Sequence, residues 1–177
     1  MARLRAILFD LGDTIMREVT EEKDETQTTQ RADLFPGMAD LLHALKARGY
    51  PLGLVADTRP GTYRNVLRQH GLFDLFDAWS ISEELGTSKP AARMFHHALG
   101  GLGIPAAEAG RVAMVGNNLA RDIGGANAVG LVSVWIRWND RYPTEPTGPA
   151  EAPRFTVRSA AELLALIAAF EEGAHGA

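Results

Sequence analysis

An α/β fold, with a mostly parallel sheet between two layers of helices, is what three observations in this 177-residue chain predict. Short apolar runs without polar alternation recur along it, as strands covered on both faces require. Amphipathic stretches with helical spacing fall between these runs, and turn residues separate the two kinds of segment. Strand–helix–strand units of this sort cross over right-handed, so helices flank both faces and ligands gather beyond the carboxyl ends of the strands.

Residues 4–9 (Leu-Arg-Ala-Ile-Leu-Phe) read as the first strand. An amphipathic helix follows, because Met38, Leu41, Leu42 and Leu45 keep the i, i+3, i+4, i+7 spacing. Lys46 and Arg48 suit its last turn, and Gly49 can end it. Residues 52–56 form a short strand, after which Pro60 stands at a first helical position with Tyr63, Val66 and Leu67 on one face up to Gly71. Weaker versions of the unit follow: a strand near 78–82, a helix over 91–99, a strand at 112–115, a helix over 119–129 and a strand at 131–136. Pro143, Pro146, Pro149 and Pro153 make residues 139–153 an extended loop. A terminal strand and helix close the fold, the helix opening on a capping box of Ser159 and Glu162 ahead of Leu163, Leu166, Ile167 and Phe170.

At 46% apolar content and with no internal repeat, residues 1–177 are expected to form one domain. The segment from Arg17 to Arg31 is the exception in texture. It carries Glu18, Glu21, Glu22, Asp24 and Glu25 and lacks apolar spacing, so it reads as a solvated loop or flap, with a substrate lid as the functional alternative. A net charge of −4 argues against broad nucleic-acid binding, which needs a clustered basic face. No apolar run approaches the ~18 residues that cross a bilayer, and the run before Asp10 is too short for a signal peptide, so a soluble cytoplasmic protein is expected. Cysteine is absent, which excludes thiolate zinc and a cysteine nucleophile; a metal must be held by oxygen or histidine. His96 and His97 lie mid-helix without a third ligand at metal spacing and read as packing or surface residues. Gly124-Gly125 does not match a dinucleotide fingerprint, which would follow the first strand.

Four strand ends carry polar residues together: Asp10 with Asp13 and Thr14, Asp57 with Thr58, Lys89 in Gly86-Thr87-Ser88-Lys89-Pro90, and Asn117-Asn118 with Asp122. A carboxylate attacks phosphorus only when the anionic phosphoryl group is neutralised by lysine, hydroxyl or backbone donors, and usually by a hard cation on oxygen ligands. These segments contain each part. In order and content they resemble the haloacid dehalogenase superfamily, whose members are mostly Mg²⁺-dependent phosphatases working through an aspartyl-phosphate. The resemblance runs from residue 4 to about residue 170 and includes 116–130, which is similar to the family's fourth motif. It implies a Rossmann-like three-layer α/β/α sandwich with Asp10 as nucleophile and metal ligand. It further implies Lys89 as the group that holds the phosphoryl and stabilises Asp10. Mg²⁺ would be held by Asp10, the backbone carbonyl of Gly12, Asn117 and Asp122, and the substrate would meet Asp57, Thr58, Lys89 and Asn118. Thr58 is equally a candidate N-cap for the helix at Pro60, and both roles stand at this point. Arg59 and Arg64 are read as solvated surface in preference to an anion site.

The chain departs from the family pattern at three places. Position 12, where relatives carry a second acid, is glycine; Ala56 stands where the second motif ends in Ser or Thr; and Asn117 replaces the usual aspartate. Loss of a general acid–base costs roughly 10² to 10⁴ in rate, so a slow enzyme, or one selective for acyl phosphates, aryl phosphates or sugar 1-phosphates, is expected. A Gly12→Asp substitution is expected to improve poor leaving groups. Asp13 or Asp57 could supply the acid instead, although adjacent residues after a strand point apart, and Asp13 is expected to cap the next turn. Asn117 removes one negative charge, so Mg²⁺ should bind more weakly.

Neither usual insertion point leaves room for a large cap domain. Residues 15–35 form only a short flap, so the site should be open unless the flap or a neighbouring subunit of a homo-oligomer covers it. Small phosphorylated metabolites and larger phosphorylated partners both fit such a site. Two rivals remain: metal-free 2-haloacid dehalogenation by the same Asp10, and a non-catalytic phosphate- or protein-binding relative.

Overall fold

The computed structural model describes residues 2–175. Six parallel strands form the main sheet in the spatial order β5-β4-β1-β6-β7-β8, where β1 is Ala6–Phe9, β4 Leu52–Ala56, β5 Ala78–Ile81, β6 Val112–Gly116, β7 Val132–Ile136 and β8 Phe155–Val157. The strand order reverses at β1, which pairs with β4 on one side and β6 on the other. Such a switch point opens a crevice at the carboxyl ends of the strands.

The three layers follow from the two-residue period of the central strands. In β1, Ile7 and Phe9 pack into one core cluster while Ala6 and Leu8 pack into the other. The first cluster is closed by α1 (Met38–Ala47), α2 (Pro60–Gln69) and α6 (Ala160–His175); Met38, Leu41, Leu42 and Leu45 are all buried there, as their spacing predicted. After β5 comes a single turn, α3 (Ser82–Leu85), and the second cluster is closed by Met94, Phe95, Ala98 and Leu99 of α4 (Ala92–Gly101) and by Ala126 of α5 (Gly124–Ala128). Each fully buried Leu or Phe contributes roughly 1.5–3 kcal/mol relative to exposure. The Rossmann-like sandwich expected from the sequence is the observed fold.

Three expectations need correction. Residues 119–129 do not make one regular helix: Leu119–Ile123 is a π turn, and only Gly124–Ala128 is α-helical. The Asn118 side chain accepts the Arg121 N–H at 2.9 Å, while the N–H groups of Asp122 and Ile123 both reach the Asn118 carbonyl, which widens the turn. The capping box is offset. Glu162 N–H donates to Ser159 Oγ at 3.1 Å, but Glu162 Oε2 accepts from Arg158 N–H and not from Ser159.

The acidic segment is solvated, as expected, but it is a structured flap and not an irregular loop. It contains a 3₁₀ turn at Glu18–Thr20 and an antiparallel hairpin of β2 (Glu22–Lys23) and β3 (Thr29–Arg31), whose turn is tied by Asp24 Oδ1 to the N–H groups of Thr26 and Thr28. The hairpin docks on α2 through polar contacts. Thr29 N–H donates to Thr62 Oγ1, Asn65 Nδ2 donates to the Thr29 carbonyl, and Ala32 N–H donates to Gln69 Oε1. Apolar periodicity is blind to docking of this kind.

Candidate active site

Parallel register brings Asp10, Asp57 and Asn117, each immediately after a strand, to one edge of the sheet. The Asp10 N–H extends the ladder by one bond to the Val115 carbonyl at 2.9 Å, which fixes the backbone that carries the carboxylate. Lys89 Nζ donates to Asp10 Oδ1 at 2.6 Å and to Asp122 Oδ1 at 2.7 Å, bridging the two. The remaining oxygens are also engaged: Thr14 Oγ1 donates to Asp10 Oδ2 at 3.2 Å, and Asn118 N–H donates to Asp122 Oδ2 at 2.9 Å. Gly116 must be glycine for this packing, since a Cβ there would overlap the Asp122 side chain.

Lys89 and Asp122 are almost fully buried, their side chains 2% and 1% exposed. Burial alone would lower the pKa of the lysine. The carboxylates of Asp10, Asp122 and Asp57 outweigh it and hold the ammonium above the ordinary lysine value. Burial and then the Asp10 charge push the Asp122 carboxyl up, against the opposing pull of Lys89.

Asp10 opens into a cavity of about 580 Å³ whose wall includes Gly12, Glu18, Asp57, Thr58 and Arg121. Glu21, Lys23, Gln27 and Thr29 of the hairpin segment form part of the same wall. Asp57 Oδ1 accepts the Lys89 N–H at 2.9 Å, and its other oxygen faces Arg121 at 3.6 Å, so this residue orients the lysine loop. Thr58 faces the cavity and is not the N-cap of α2; Arg59 occupies that position. Asn118, expected at the substrate, spends its side chain on the π turn. The Asn117 carbonyl accepts the Trp135 indole N–H at 2.9 Å. Arg59 and Arg64 pair with Glu83 and Glu84.

Sequence reasoning missed a second cluster at the rim. Asp13 caps the next turn as expected, accepting the N–H of its first residue, and it also anchors this cluster. It adopts a left-handed φ of 47° and is 1% exposed, and its carboxylate accepts the Glu18 N–H at 3.0 Å and Arg141 Nη1 at 2.6 Å. Arg141 also reaches Glu18 Oε2 at 3.3 Å, and the Tyr142 hydroxyl donates to the same oxygen at 3.1 Å. Glu18 thereby lies against Gly12, where a Cβ would overlap its Oε1. Burial, reinforced by Asp13, raises the Glu18 pKa despite Tyr142 and Arg141. In the sequence Glu18 was one of a run of acids, and Arg141 and Tyr142 stood in a proline-rich loop more than 120 residues away.

A three-layer α/β protein with a lysine-bridged carboxylate pair at its topological switch point is the class these observations define. Residues 5–130 match the family model for haloacid dehalogenase-like hydrolases, and the chain belongs to that family. It is 37% identical over 133 residues to the pyrimidine 5'-nucleotidase YjjG of Escherichia coli (strain K12), covering 75% of this chain and 56% of that protein. It is 34% identical over 128 residues to a phosphoserine phosphatase of Thermus thermophilus, covering 72% of this chain and 49% of that one. The chain thus spans about half the length of these curated relatives. Its fold matches that of the L-2-haloacid dehalogenase RSc1362 with a TM-score of 0.79 at 17% identity, over 94% of this chain and all of that one. Among the described residues no helix is long and apolar enough to cross a membrane.

Proposed function

We propose that the chain is a phosphohydrolase in which Asp10 attacks phosphorus and carries the phosphoryl group as an acyl phosphate. The observation that carries this reading is the single ammonium of Lys89 bonded to both Asp10 and Asp122, with Asp10 facing the cavity. Lys89 neutralises and aims Asp10 through its bond to Oδ1, and Asp57 fixes the loop that presents Lys89. The similarity to curated phosphatases and a nucleotidase supports the same chemistry, and a cavity of about 580 Å³ suits a small phosphorylated metabolite.

The donor set suits magnesium in kind: the carboxylates of Asp10 and Asp122 with amide and carbonyl oxygens of Asn117 and Gly12 offer hard oxygen only. Among the described residues no three His, Asp or Glu are placed to hold a metal together, so charge on the metal would be balanced by two carboxylates shared with Lys89. Bound there, Mg²⁺ would neutralise phosphoryl oxygens as Asp10 attacks. The hairpin at 22–31 takes the place of a cap and walls one side of the cavity. The dehalogenase alternative wants an apolar pocket, whereas Glu18, Glu21, Asp57 and Glu83 line this one.

Hydrolysis of 4-nitrophenyl phosphate and of 2-chloropropionate, each with Mg²⁺ or with EDTA, tests the reading. Phosphate release that needs Mg²⁺ and falls about 10⁴-fold or more in Asp10→Asn is expected. Halide release in EDTA, or no turnover of either compound, would overturn it.

A further inference from the structure

The strand-end turn after Asp10 has no acid at position 12, yet a carboxylate occupies that volume. A Cβ built on Gly12 would overlap Oε1 of Glu18, and Glu18, Gly12 and Asp10 all line the same cavity. Every contact that holds Glu18 engages its other atoms. Asp13 takes its N–H at 3.0 Å, and Tyr142 and Arg141 take Oε2 at 3.1 and 3.3 Å, so Oε1 is the oxygen these contacts leave available. The other carboxylates of the wall are committed. Asp57 binds the Lys89 N–H and faces Arg121, Glu21 accepts from Thr29 Oγ1 and pairs with Lys23, and Glu83 pairs with Arg59.

We infer that Glu18 is the general acid–base of this site, an assignment that rests on the phosphohydrolase reading above. As an Asp10 oxygen bonds to phosphorus, the bond from phosphorus to the leaving oxygen breaks, and its electron pair is protonated by the Glu18 carboxyl. The Glu18 carboxylate then takes a proton from water as the water oxygen attacks phosphorus. The phosphorus–Asp10 bond breaks, its electron pair returns to Asp10, phosphate departs, and Glu18 is again protonated. Alkyl phosphates, whose leaving groups need a proton, therefore belong among the substrates. The restriction to good leaving groups that Gly12 suggested does not apply.

The test compares glycerol 3-phosphate with 2,4-dinitrophenyl phosphate, hydrolysed by the full chain with Mg²⁺ at one pH. Glu18→Gln keeps the side-chain length and an acceptor for Tyr142. It should lose about 10²-fold or more on the alkyl ester and less than about threefold on the dinitrophenyl ester, which needs no acid. Gly12→Asp should restore the alkyl activity in a Glu18→Ala background, yet gain little alone, because the new side chain displaces the carboxylate already there. Equal loss on both esters, no loss on either, or failure of that rescue would overturn the assignment. Wild-type turnover of the dinitrophenyl ester alone would overturn it while sparing the phosphohydrolase reading; release from neither ester would overturn both.

Discussion

The floor and the rim of the cavity are built on different physical principles. On the floor, Asp10 immediately follows a strand, and Lys89 bonds it at 2.6 Å and Asp122 at 2.7 Å, with all three side chains 11% exposed or less. Backbone register places these groups, and burial makes their charges strongly interdependent. At the rim, Asp13 and Glu18 are joined to Arg141 and Tyr142 across more than 120 residues by side-chain bonds alone, and Arg141 is 41% exposed. Water screens that pairing. The contrast predicts a floor that fails as a unit when one group is removed and a rim that can be retuned piece by piece.

Lys89→Met is the strongest way to break the comparison. It leaves Asp10 and Asp122 buried without their cation, which should cost about 3–5 kcal/mol of stability in EDTA, read by urea denaturation. Because the folded-state pKa of Lys89 is raised, its contribution is complete below the ordinary lysine value and is lost only as pH climbs past the raised one. The gap between variant and wild type should therefore stay level from pH 7 to about 10 and close only in stronger alkali. Arg141→Ala should cost less, about 1 kcal/mol. Asp13 keeps the Glu18 N–H, and the half-exposed Arg141 side chain was already partly screened by water. A loss at Arg141 as large as at Lys89 would mean that the rim is as cooperative as the floor.

The same division explains what could be read from the sequence. The alternation of Ile7 and Phe9 against Ala6 and Leu8 cannot be seen in an all-apolar run, but the run itself marks a strand buried on both faces, and its end marks Asp10. Asp10 was legible because it ends a strand, and Lys89 and Asp122 because their short segments resemble the family's motifs, although a helical turn at Ser82–Leu85 separates Lys89 from β5. Glu18 was not, since its position depends on Asp13 turning through a positive φ and on partners from a proline-rich loop. The hairpin was hidden for a related reason: Thr29, Ala32 and Asn65 join it to α2 by hydrogen bonds, and no apolar stripe announces them. Asn118 was legible as a residue of the right segment but not in its use, because only the π turn reveals that its side chain caps Arg121.

Tyr142→Phe is the smallest change and the sharpest probe of the rim. It deletes one hydroxyl that donates to Glu18 Oε2 at 3.1 Å and leaves the ring, over which Arg121 and Arg141 lie, in place. A part-exposed hydrogen bond of this kind contributes about 0.5–1.5 kcal/mol, so the unfolding midpoint should barely move. Function should register the change more clearly if the hydroxyl aims Glu18. With Oε2 held only by Arg141 at 3.3 Å, the carboxyl swings more widely, and kcat/KM for an alkyl phosphate should fall about threefold to tenfold while that for 2,4-dinitrophenyl phosphate stays level. A fall on both substrates would show that the hydroxyl shapes the cavity as a whole; a level response on both would show that Arg141 and Asp13 alone hold Glu18 in place.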